Sequence, residues 1–104
     1  MVDYFSYNER LGIPIPSFHQ DWDDYSKETQ QTILFHWEKI RGRIPDRIAE
    51  LEDHINSKQA LLSNEENFNK SCELNSEIAE LASIINDLWL WYRTHQDISE
   101  KIHM

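Results

Sequence analysis

From Asp46 through Met104 the chain contains neither glycine nor proline. More than half of the molecule therefore has nothing to break a helix, and none of the turn residues that a β architecture needs at intervals of about ten positions. Both glycines and all three prolines lie at or before Pro45. This asymmetry predicts an all-α fold in which irregular chain is confined to the N-terminal part. At 104 residues, 39% of them hydrophobic and 12% aromatic, the chain reads as one domain (1–104) that can bury a core without disulfide or metal.

Residues 1–21 lack helical periodicity. They contain Gly12-Ile13-Pro14-Ile15-Pro16, in which each proline biases its predecessor toward extended backbone. They read as an extended arm, and Tyr4, Phe5, Tyr7, Leu11, Ile13, Ile15 and Phe18 give it enough apolar surface to lie across helices. A first helix is placed at 22–41, its regular part capped by the Ser26 hydroxyl and stopped by Gly42. Ile33, Trp37 and Ile40 share one face of it, and Trp22 and Tyr25 either extend that face or form a separate short turn.

A second helix is placed at 45–62, with Pro45 in its first turn, where a missing amide costs nothing, and Asp46 complementing the helix dipole. Ile44, Ile48, Leu51, Ile55 and Leu62 fall on a seven-residue repeat whose remaining slot is Lys58, a narrow seam that suits an antiparallel partner. Ser63 and Glu66 match a capping box for a third helix at 64–95.

That third helix carries two stripes. Leu74, Ile78, Leu81, Ile85, Leu88 and Tyr92 form one, while Phe68, Cys72, Ala79, Ala82 and Trp89 form a second. Two stripes imply two packing partners, and the alanines favour close approach of the second helix on their side. The run Leu88-Trp89-Leu90-Trp91-Tyr92 is apolar around the whole circumference and calls for wrapping by other protein. Trp89 and Trp91 point about 200° apart, so one seam cannot bury both. The expected architecture is a three-helix bundle built on a long antiparallel helical hairpin, with an N-terminal arm over the aromatic end, and a homodimer through the third helix and that end.

Nineteen acidic against ten basic residues give a formal charge of −9, which opposes attraction to nucleic acid or anionic lipid. A single cysteine, no basic-apolar leader and no run of roughly 20 apolar residues point to a cytoplasmic protein without a membrane span. Ile98 to Met104 read as a frayed end or a short extra turn.

No motif specifies a reaction, and no cofactor is expected. His19, His36, His54, His95 and His103 are scattered, and only His103 has a glutamate (Glu100) three residues earlier, the spacing of carboxylate-bridged metal bundles. Glu50 and His54 are one turn apart. Cys72 reads as a small core residue, and two glycines thirty residues apart exclude Gly-rich phosphate loops. Lys39, Arg41, Arg43 and Arg47 reverse the charge locally at the junction of the first two helices. With Trp91 they are the candidate contacts for a protein partner, or for an anion at the arginines. Their alternative role is to complement the end of the first helix.

The carboxylates Glu73, Glu77, Glu80 and Asp87 form a ladder on the third helix, with Glu50, Glu52 and Asp53 on the second. Glu77-Ile78-Ala79-Glu80-Leu81-Ala82 resembles a helix of small all-α pyrophosphohydrolases that cleave nucleoside triphosphates, in which paired glutamates hold Mg²⁺ against the phosphate chain. The resemblance covers this piece alone, and Ser83 stands where that family has an aspartate. It implies, as the alternative to an adaptor or regulatory interaction protein without catalytic activity, a Mg²⁺-dependent enzyme with Glu73, Glu77 and Glu80 as metal ligands. A third reading, an acidic mimic of DNA, rests on charge alone, and the basic corner counts against it.

Overall fold

The computed structural model describes residues 4–94. His95, Glu100, His103 and the Ile98 to Met104 stretch named above lie outside them. The chain is mostly helical, but it opens on a β-hairpin of β1 (Phe5–Asn8) and β2 (Ile13–Pro16). A 3-10 turn at Trp22–Asp24 follows, then α1 (Lys27–Arg41), α2 (Ile44–Ser63) and α3 (Phe68–Tyr92).

The hairpin corrects the all-α expectation and turns the extended arm into a paired one. Phe5 faces Pro16, Ser6 faces Ile15, Tyr7 faces Pro14 and Asn8 faces Ile13. The Ser17 amide donates to the Tyr4 carbonyl. By the two-residue alternation of an antiparallel ladder, the amides of Ile13 and Ile15 then point toward β1, and Pro14 and Pro16 take the outward positions. The prolines thus cost no ladder bond and blunt the outer edge of β2. Asn8 builds the turn: its side-chain oxygen accepts from the Leu11 amide at 2.9 Å and its carbonyl from the Gly12 amide at 2.7 Å. Gly12 sits at φ +77°, a conformation that glycine adopts without a Cβ clash.

The first helical face is split. Trp22–Asp24 is a separate 3-10 turn, and α1 starts after Ser26, whose side chain accepts from the Thr29 amide. The Gln30 side-chain amide donates to the carbonyls of Trp22 and Tyr25. This ties the segment Phe18–Tyr25, itself an aromatic cluster, to α1.

Gly42 ends α1 without the left-handed turn usual for a terminal glycine. It lies at φ −63° and Arg43 at φ −91°, both right-handed helical, so α1 passes into α2 through a two-residue bend. Pro45 occupies the first turn of α2. At the far end Ser63 does not cap α3: its hydroxyl donates back to the Gln59 carbonyl inside α2, an ordinary competitor of capping. Asn67 caps α3 instead, accepting from the Lys70 amide.

α2 and α3 pack along each other, with Ile48 and Leu51 of α2 in one cluster with Leu88 and Ile84 of α3. Lys58, in the polar slot of the α2 seam, reaches Glu77 at 2.7 Å. α1 does not lie along this pair, and its main neighbour is β2. The buried residues Leu11, Ile13, Trp37, Ile44, Ile48, Leu51, Ile84 and Leu88 form one cluster, with Phe5 and Trp91 packed against it. The core is therefore a corner where hairpin, α1, α2 and the end of α3 meet, and the molecule extends over 59 × 24 × 21 Å.

Trp37 is the centre of this corner. It is fully buried, stacked on Phe5 and edge-on to Trp91 at 5.6 Å, and its indole N–H donates to the Thr94 carbonyl. Trp91→Ala is accordingly expected to destabilise the fold by about 1–3 kcal/mol, less than the truncation of a fully buried tryptophan. Thermal melting measures this, and an unchanged melt would show that the Trp37 contact contributes nothing.

Candidate functional site

The basic corner is largely consumed by the fold. Arg41 donates to the Tyr92 carbonyl at 2.9 Å, pairs with Glu38 and lies over the Tyr92 ring, so it caps the last turn of α3 from outside. Arg47 donates through Nε to the Leu11 carbonyl at 3.0 Å and pairs with Glu50. Its guanidinium lies against Gly12, where an added Cβ would run into Nε. Lys39 sits over the Phe35 ring. Arg43 is exposed and lines a groove of about 610 Å³ between hairpin and bend, together with Tyr7, Ile13, Ile40, Asp46, Arg47 and Glu50. Two arginines face two carboxylates there, so the lining is charge-balanced and gives no strong preference for an anion.

The carboxylate ladder is divided between cations. Glu77 is held by Lys58. Glu80 and Asp87 are bridged by Arg10, which reaches across from the hairpin turn at 3.2 and 2.7 Å and also donates to Ser83. The Asp87 hydrogen bond, with a smaller one from Glu80, raises the Arg10 pKa above its ordinary value. A raised cation pKa adds stability that is present at all lower pH and fades only as pH rises through that raised value, so this clasp gives no pH switch near neutrality through Arg10. Among the described residues no three His, Cys, Asp or Glu side chains come together to hold a metal ion, and Glu73, Glu77 and Glu80 are all exposed. Glu77→Gln is expected to change stability by about 0.2–1 kcal/mol, as for a surface ion pair. Urea titrations with and without Mg²⁺ should coincide; stabilisation by Mg²⁺ that Glu77→Gln abolishes would support the metal reading instead.

The two stripes of α3 have different fates. Leu81, Ile85 and Leu88 of the first pack into the core, joined by Ile84, which belongs to neither stripe. The second row faces solvent: Ala79 and Ala82 are exposed, Cys72 is exposed, and Phe68 is 78% and Trp89 38% accessible. This overturns the expectations that the alanines approach α2 and that Cys72 is a core residue. The physical reason is burial: the branched Leu and Ile stripe hides far more apolar area than an alanine row can, so α2 takes it. Of the paired tryptophans, Trp91 turns inward to Trp37 and Trp89 lies outward beside Tyr92, with Leu90 42% exposed. The apolar run is wrapped on one side only.

The result is an exposed strip along α3. Phe68, Cys72, Asn75, Ala79, Ala82, Asn86 and Trp89 recur at alternating spacings of four and three, flanked by Ser76, Ser83 and Leu90. None of these is charged, on a chain whose net charge is −9. A strip of seven such positions spans about 32 Å of helix. The 4-3 spacing of its outer members was legible from sequence, but its exposure was not, because pattern alone does not say which of two stripes a neighbour will choose. The Arg10 clasp was equally hidden, since it joins residues about seventy positions apart.

No family model matches the chain, and no curated protein or solved structure matches it. Among the described residues no helix is long and apolar enough to cross a membrane. What the geometry defines is a class: a mostly helical chain whose chief unexplained surface is one uncharged helix face.

Proposed function

We propose that this chain is a small protein-interaction module, of adaptor or regulatory kind, that docks through the exposed strip of α3 and carries no catalytic activity of its own. The observation that supports the reading is the strip itself. Large apolar side chains are left in water at both its ends, and its whole length is free of charge on a strongly acidic molecule. Large apolar side chains left in water on an uncharged face are a mark of interaction sites, and aromatic residues are enriched at interfaces.

In this reading α2 and α3 form an antiparallel helical hairpin that serves as a rigid platform, the coiled-coil-like remnant of the bundle expected from sequence. The aromatic corner holds the platform and α1 in fixed relation. The groove beside Arg43 is a secondary contact, and Lys39 is a further one; Arg41, Arg47 and Trp91 act on partner binding through the fold, because their side chains are spent on α3, the hairpin and Trp37. A cytoplasmic setting belongs to the same proposal, since a lone solvent-facing thiol such as Cys72 stays unpaired most readily in a reducing compartment.

The test is capture of binding proteins on the immobilised chain, comparing the native sequence with Ala79→Glu/Ala82→Glu. Both alanines are exposed, so helicity by circular dichroism should be unchanged. Captured protein should fall to background with the double variant. Equal capture by both would overturn the strip as the docking face, and Arg43→Glu run in parallel then reports whether the groove carries the contact.

A further inference from the structure

We propose that the groove between hairpin and bend is a site for a small zwitterion of the α-amino-acid class with an apolar side chain, its carboxylate on Arg43 and its ammonium on Asp46. The inference lies apart from the α3 strip and does not rest on docking there.

The observation that carries it is an ion pair left open. Around the bend three arginines each have an acid three residues away: Arg41 with Glu38, Arg43 with Asp46, and Arg47 with Glu50. The outer two pairs close at 3.3 and 3.1 Å. The middle one does not, and among the described residues neither the Arg43 nor the Asp46 side chain has an ion-pair or hydrogen-bond partner. Aspartate is one methylene shorter than the glutamates of the other two pairs, so the charges stay apart. Both side chains are exposed, and both line the groove.

Geometry sets the size of what fits between them. Positions three apart on a helix hold their Cβ atoms about 5–6 Å from each other, and Arg43 has the helical backbone angles for that spacing to apply. A carboxylate and an ammonium joined through a single carbon can then each meet its opposite charge. The guanidinium presents a fork of N–H donors to the carboxylate, and the Asp46 carboxylate accepts from the ammonium.

Charge disfavours simpler ligands. Arg43 and Arg47 balance Asp46 and Glu50 across the lining, so a lone anion or cation meets as much repulsion as attraction. A zwitterion is attracted at both ends. The rest of the lining is apolar: Ile13 is buried, Pro14 and Ile40 are half-buried, and the Tyr7 ring is exposed. These surfaces take the apolar side chain, and about 610 Å³ lies within the range of small-molecule sites. One wall is fixed in advance, because Arg47 ties the Leu11 carbonyl to α2 and closes on Glu50. That leaves Arg43 and Asp46 as the pair open to a ligand.

The experiment is an NMR chemical-shift titration of the full chain with free phenylalanine, N-acetylphenylalanine, phenylalaninamide and glycine. Phenylalanine should give saturable shifts around residues 43–47. Each blocked form keeps one charge, and glycine keeps both without a side chain, so all three should bind about tenfold or more weakly. Arg43→Gln should erase the difference between phenylalanine and phenylalaninamide, and Asp46→Asn that between phenylalanine and N-acetylphenylalanine. Both side chains are exposed and unpaired among the described residues, so circular dichroism and melting of the variants should match the native chain. The absence of saturable shifts would overturn the site, as would binding indifferent to both variants. N-acetylphenylalanine bound as tightly as phenylalanine would make the groove a plain anion site and overturn the zwitterion. None of these outcomes bears on capture through Ala79 and Ala82, which tests the docking reading separately.

Discussion

Replacing Trp37 by alanine is expected to cost about 3–5 kcal/mol, the range for truncating a buried large aromatic. For a chain of this size that is a fall of roughly 15–30 °C in melting temperature. The side chain is fully buried and joins the hairpin to the end of α3: Phe5 of the hairpin on one face, Trp91 of α3 at its edge, and the Thr94 carbonyl at its N–H. No neighbour can collapse into the gap without giving up one of those contacts. Trp37→Phe separates the two contributions, because it keeps most of the apolar bulk but leaves the Thr94 carbonyl without its donor, at about 1–3 kcal/mol. Chemical denaturation of both variants measures the difference. A loss below about 1 kcal/mol for Trp37→Ala would mean that the corner is not the centre of stability.

Gly12→Ala is expected to destabilise the fold by about 2–4 kcal/mol. A Cβ at φ +77° is strained by about 1–2 kcal/mol on its own, and here it would also push into the Arg47 guanidinium. Arg47 would then lose its bond to the Leu11 carbonyl, a charge-assisted contact of about 1.5–3 kcal/mol. The two positions should therefore be coupled. Arg47→Ala alone loses the same bond, so the double variant should be less destabilised than the sum of the singles. Additivity in that cycle would show that the turn and the arginine do not meet.

How far the residues announced this fold depended on how local the deciding physics was. Ser26 as a helix cap, Pro45 in the first turn of α2, and the α2 seam with Lys58 in its polar slot follow from neighbours within a turn or two, and the structure has each of them. The hairpin was missed because its signal is short and ambiguous. Two prolines in four residues argue against a strand, and only the register, which turns both prolines outward, reconciles them with pairing. Ser63 departs from its expected role for a related reason: the same hydroxyl can cap the next helix or bond back to the last turn of its own, and the choice depends on where the loop goes. On α3 both stripes were visible, but the competition between them was settled by α2, and with it the exposure of Cys72, Ala79 and Ala82. The basic corner was legible as a concentration of charge. That two of its arginines are tied to the carbonyls of Tyr92 and Leu11 was not, because each bond joins segments far apart in sequence.

The bend between α1 and α2 has a mechanical consequence. Gly42 and Arg43 keep helical backbone angles, and their amides donate to the Glu38 and Ile40 carbonyls, so the joint continues the hydrogen bonding of α1. The angle of α1 is also held by two rivets, from Trp37 to the Thr94 carbonyl and from Arg41 to the Tyr92 carbonyl, both at the C-terminal end of α3. With α1 about 22 Å long, a rotation of about 10° at the joint carries its Lys27 end roughly 4 Å. The end of one helix thus bears on another like the short arm of a lever, and small displacements of Tyr92 and Thr94 return as larger ones at the Lys27 end of α1.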